Sequence, residues 1–97
     1  MKEEIVLNPD ESFEYVKSNV KEGDTLELSY NRVFAPGEVL GIKVEEDLGE
    51  ELVIVSLHLN GDIVNDVVRV TLNDIRDDLL EICHITEDKE TLIVIEE

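Results

Sequence analysis

Ser56, His58 and Asp66 are the side-chain types of a nucleophile, its base and the acid that orients the base. A strong turn signal, Asn60-Gly61, lies between His58 and Asp66. A three-residue loop over Asn60–Asp62 would set Ser56 opposite Asp66 and His58 opposite Val64. All three chemical groups would then share one strand face. A two-residue turn would carry Asp66 to the other face. Neither a nucleophile elbow nor a Gly-rich oxyanion loop accompanies the set. It reads as a solvated strand face, and the chain reads as non-enzymatic.

Metal and phosphate chemistry are poorly supported by spacing. Cys83 and His84 are adjacent, so on a strand they point to opposite faces and cannot easily grip one ion. The expectation is a half-buried Cys83 and a surface His84. Glu45-Glu46-Asp47 and Asp77-Asp78 would attract divalent cations loosely, without the spacing of a calcium loop. Neither glycine-rich phosphate motif is present. The sequence therefore implies no cofactor and no metal site. Nucleic acid is disfavoured as well. Useful affinity takes about 6–10 phosphate contacts, and the chain has only 8 Lys and Arg, spread from Lys2 to Lys89. Arg32, Lys43, Arg69 and Arg76 are the only candidates for a basic face.

A different pattern points to binding. The 17 residues Leu28–Val44 hold one acid, Glu38, against 24 in the other 80 residues. Within this stretch Tyr30, Arg32 and Phe34 stand two apart, so one strand face would carry a guanidinium between two rings. Parity requires an odd loop or a bulge around Phe34–Glu38. One such register pairs Leu28 with Val44, Tyr30 with Ile42 and Arg32 with Leu40, and puts Lys43 beside Ser29. The predicted contact site is this tip: Tyr30, Arg32, Phe34 and Lys43. The bland alternative is rim core with Arg32 snorkelling outward.

The whole chain bounds these readings. It has 97 residues, enough for one domain over 1–97 with a thin core. Its hydrophobic content is 42%, rich in Ile and Val, and its aromatics are Phe13, Tyr15, Tyr30 and Phe34. The single Cys83 excludes an internal disulfide and suits a reducing compartment. The start is acidic and lacks a secretory apolar segment, and no apolar run is long enough to span a bilayer. The expectation is a soluble, cytoplasmic protein with no membrane partner. With 25 Asp and Glu the net charge is −17. Like charges about 10 Å apart in water repel by roughly 0.4 kcal/mol before screening, so added KCl should raise the melting temperature; a flat or falling value would contradict this. Such acidity fits a salt-rich cytoplasm or a basic partner.

One helix is signalled, at about 9–21. Asn8 can cap it, Pro9 fits its first position, and Glu11 completes a capping box. Phe13, Val16 and Val20 share a face with Tyr15 beside it, and Gly23 is a natural stop. Ile5–Leu7 is read as a short strand or arm. After Gly23 the period becomes two. Strands are predicted at 26–30, 40–44, 52–59, 67–72, 79–85 and 91–95, with Asn73–Asp78 as a turn. The predicted fold class is mainly β, α+β by content. The N-terminal helix precedes a small, partly open antiparallel barrel of five to six strands.

The segments GDTLELSY, GEVLGIKV and LNDIRDD give a loose topological resemblance to SH3-like barrels. More specifically, NPDESFEYVKSNVKEGD together with SYNRVFAPGEVLGI resembles a family of small, acidic, uncharacterised proteins of methanogenic archaea. That resemblance would cover nearly the whole chain. It implies no activity, and it makes a salt-rich cytoplasm the expected setting. The functional expectation is a protein-interaction module with a protein partner, potentially basic, at the Tyr30–Phe34 tip. The alternatives are a homodimer or larger oligomer pairing through a Thr91–Ile95 edge strand, and a cation-dependent or enzymatic protein using its surface carboxylates.

Overall fold

Asn8 separates the first strand from the α-helix. Its Oδ1 accepts the Glu11 amide at 2.8 Å, and Glu11 Oε1 accepts the Asn8 amide at 3.0 Å. This closed capping box starts α1 (Pro9–Asn19) where the sequence signals it. The helix stops two residues before the predicted end. The Asp24 carboxylate takes the Lys21 amide at 3.0 Å, and Gly23, at φ +95°, allows the tight return. Phe13 and Val16 of the helix are buried, as is Val20 just beyond it.

The computed structural model describes residues 2–60 and 65–96. The remaining elements are β1 (Lys2–Leu7), β2 (Thr25–Tyr30), β3 (Val33–Asp47), β4 (Glu50–Asn60), β5 (Asn65–Thr71), a short 3-10 helix (Leu72–Ile75), β6 (Leu79–Ile85) and β7 (Glu90–Ile95). They form one mixed seven-stranded sheet in the order β1-β7-β6-β2-β3-β4-β5.

This corrects the predicted barrel in three ways. The sheet is open, with β1 and β5 as its two edges. It is mixed, because β1 runs parallel to β7 while the other pairs are antiparallel. The segment before the helix, expected as a short strand or arm at Ile5–Leu7, is a full strand of the sheet, β1 (Lys2–Leu7). The sequence could not count β1 as a full strand, since three of its six residues, Lys2, Glu3 and Glu4, are charged. They are tolerated on an edge, where charge discourages further pairing.

β3 joins the two parts of the sheet. Its first part, 33–38, pairs with β2, and its second part, 37–47, pairs with β4. At Gly37 the backbones come so close that a Cβ would meet the His58 carbonyl oxygen at 2.8 Å. Leu40 is then left unpaired by a bulge between Val39 and Gly41. Bulges and bends of this kind let one strand turn a sheet corner. The bulge also flips parity: Ala35, Gly37 and Val39 face inward before it, and Ile42 and Val44 align with inward Val55 and Val53 after it. Inward residues from both parts, among them Leu26, Leu28, Val55, Leu57, Ile82 and Ile93, are fully buried in one cluster with Phe13 and Val16.

The predicted β2–β3 register is overturned. The turn is Asn31-Arg32, not the Pro36-Gly37 region, so Tyr30 pairs with Val33 and Leu28 with Ala35. Asn31 adopts φ +52°, a conformation that Asn tolerates better than most residues. Pro36 sits where β3 has only β2 as a neighbour, so its missing N–H need break no ladder bond. β7 is also not the exposed edge expected for Thr91–Ile95. It is paired on both sides, by β6 and β1, which removes the structural basis for self-pairing through that strand.

Candidate functional site

The corrected register redistributes the predicted contact residues. Tyr30 follows Leu26 and Leu28 on the inward face and packs half-buried against the core. Arg32 is exposed in the turn. Phe34 pairs with Ser29 on the opposite, outward face and is 59% exposed. Lys43 lies nine residues further along β3, beyond the bulge, and its Nζ is 2.8 Å from Glu45. The stacked Tyr30–Arg32–Phe34 array therefore does not form: the two rings belong to opposite faces, and the cation belongs to the turn between them. Among the described residues a cation–π contact occurs elsewhere, Arg76 over Phe13, 5.7 Å from the ring centre.

The Ser56–His58–Asp66 set also separates. Ser56 pairs with Arg69 and His58 with Val67, whereas Asp66 pairs with Leu59 on the other face. The loop between β4 and β5, including the predicted Asn60-Gly61 turn, lies outside the described residues apart from Asn60. Among the described residues, no three His, Cys, Asp or Glu side chains converge as metal ligands would.

The structure brings together a different set, which the sequence reading missed. His84 faces inward, only 4% exposed, where the sequence suggested a surface position. Its neighbours across the ladders are Leu26 and Thr91, both buried. Its Nε2 is 2.8 Å from Asp24 Oδ2, and its Nδ1 is 2.8 Å from the Tyr15 hydroxyl. A carboxylate only accepts, so Nε2 carries the hydrogen. In the neutral ring Nδ1 then accepts the Tyr15 O–H. Tyr15 also meets the imidazole edge-on at 5.6 Å between centroids. Burial pushes the Asp24 carboxyl up. The hydrogen bonds from His84 and the Lys21 amide, with the electrostatic attraction of the two residues, outweigh that and leave it below its ordinary value of 3.8.

Each heteroatom of the imidazole is thus already engaged. No buried side-chain nitrogen or oxygen lacks a partner among the described residues. An array of this kind pins the helix, the turn after it and β6 together, and leaves no lone pair on the imidazole for a substrate. One signal could have found it. From Glu81 onward the odd positions of β6 face outward, so even-numbered Ile82 and His84 point inward.

Among the described residues, no second layer covers the outward face of β3-β2-β6-β7-β1. Tracing the ladders gives a row Phe34, Ser29, Glu81, Val94, Val6, and beside it a row Pro36, Glu27, Cys83, Leu92, Glu4. None of these side chains is buried. Cys83 borders a depression of about 330 Å³ with Leu92, Glu90, Glu4 and Lys2. Desolvation, reinforced by the charges of Glu27 and Glu90, pushes its thiol up to about 11, so it stays protonated and unreactive near neutrality. Within the described residues no helix is long and apolar enough to cross a membrane.

No curated protein and no solved structure matches this chain. A family model does match, over residues 3–95, which takes in the elements from β1 to β7 except Lys2 at the start of β1. The chain belongs to the family described as "Uncharacterized protein conserved in archaea (DUF2097)".

Proposed function

We propose that this chain is a non-enzymatic protein-interaction module whose contact site is the β2–β3 tip. Arg32 and Phe34 present the contact surface, and Tyr30 anchors the tip from the inward side. The observation that carries this reading is Phe34, an aromatic ring 59% exposed at the end of a face that no described element covers. Leu80, at the bulge that shifts β6 against β2, is a further exposed apolar side chain (55%) two strands away. Large exposed apolar groups beside a cation are characteristic of interface hot spots. The net charge of −17 favours a basic partner and accelerates its approach. Lys43, distant along β3 and held by Glu45, belongs to a separate part of the surface.

The test is an Arg32→Ala/Phe34→Ala double variant, compared with the parent by quantitative co-purification from archaeal extract. The expected result is loss of one or more basic proteins at an unchanged melting temperature, because both side chains are exposed. An identical set of captured proteins overturns the reading.

A further inference from the structure

The outward face of the five-strand part combines two properties that together select a partner. Its floor is apolar and half-buried: Cys83, Leu92 and Val94 in the middle, with exposed Phe34 and Val6 (56%) at the two ends of one row. Its charges are mostly of one sign. Glu4, Glu27, Glu38, Glu81 and Glu90 point outward here; among the described residues Lys2, 3.4 Å from Glu90, is the cation on this face, and Arg32 stands in the turn beside its Phe34 end. An acidic, partly apolar surface without a covering layer matches a ligand of opposite charge that carries its own apolar stripe.

We propose that this face docks a cationic amphipathic segment of a partner protein. The partner's apolar side chains lie on Leu92, Val94, Val6 and Phe34, and its Lys or Arg side chains meet Glu4, Glu27 and Glu81. This rests on the interaction-module reading and adds the chemistry of the partner. A second copy of the chain does not fit, because pairing two such faces would oppose carboxylates to carboxylates. An anionic lipid surface is repelled for the same reason. The row from Phe34 to Val6 crosses five strands spaced about 4.8 Å apart, roughly 19 Å in all, the length of about 13 residues of helix.

The probe is a labelled synthetic amphipathic peptide of leucine and lysine, compared with a scrambled peptide of the same composition. Both carry equal charge, so diffuse attraction to the acidic chain cancels. The expected result is at least about tenfold tighter binding of the amphipathic peptide, measured by fluorescence anisotropy at moderate salt. Leu92→Ser/Val94→Ser should abolish that preference and leave the scrambled peptide unchanged. Glu4→Lys/Glu81→Lys, at two exposed positions, should weaken both peptides by at least about tenfold without touching the apolar floor. Equal binding of the two peptides, or a preference that survives Leu92→Ser/Val94→Ser, overturns the proposal. The two readings fail separately. If Arg32→Ala/Phe34→Ala abolishes co-purification but no peptide preference exists, the docking chemistry falls and the module stands. If the preference exists while that double variant keeps every partner, the tip falls and the face stands.

Discussion

His84 Nε2 and Asp24 Oδ2 lie 2.8 Å apart although the residues are 60 positions apart in the chain. On the other side of the ring, the Tyr15 hydroxyl completes the array from the helix. Cutting at His84 leaves a half-buried carboxylate and a hydroxyl without their partner, together with a cavity. His84→Ala is expected to cost about 3 kcal/mol by urea denaturation. Tyr15→Phe removes only the hydroxyl and should cost about 1–2 kcal/mol. Equal, small losses for both variants would mean that the array contributes little.

The same carboxylate gives a pH dependence with a definite sign. Asp24 is held below its ordinary value of 3.8 in the folded chain. A folded-state value below the unfolded one contributes stability that is present above about pH 4 and lost as pH falls through the folded value. The stability gap between the parent and Asp24→Asn should therefore be full at neutral pH and narrow as pH drops below about 4. A gap constant from pH 7 to 2 would remove the carboxylate from this account.

Two glycines of β3 are expected to behave oppositely. Gly37→Ala drives a Cβ into the backbone of β4, 2.8 Å from the His58 oxygen, where no side chain can swing aside. A loss of about 2 kcal/mol is expected, comparable with other overpacking changes. At Gly41 an added Cβ meets nothing within 4 Å, so Gly41→Ala should be neutral or slightly stabilising. Thermal melting of the two variants decides whether the corner at Gly37 is as tight as described.

Leu48 occupies the β3–β4 turn at φ +50°, fully exposed, beside Gly49 at φ +81°. A leucine gains nothing there and bears the left-handed penalty of roughly 1–2 kcal/mol. Leu48→Asn is expected to raise stability by about 0.5–1 kcal/mol, seen as a higher urea midpoint. A lower midpoint would show that the leucine is held by something other than the turn.

Local signals in the chain were sufficient for several features decided by neighbours in sequence. Asn8-Pro9 with Glu11 specifies the helix start, because a capping box closes within four residues. The alternation after Gly23 specifies extended chain, and adjacent Cys83 and His84 had to diverge across a strand. The acid-poor stretch around Tyr30 also marks a real feature: Leu28, Ala35 and Val39 within it are core. What remained hidden depended on pairing. Pro36-Gly37 reads as a turn locally, yet it lies in a strand because β3 bends there to serve two partners, and Asn31-Arg32 makes the turn instead. Whether Thr91–Ile95 is an edge depended on a charged N-terminal strand returning beside it. The joining of Tyr15, Asp24 and His84 depended on three elements meeting. A sequence displays the period of each segment. Only the packed sheet decides which segments lie side by side, because one-residue shifts and bulges exchange faces at almost no local cost.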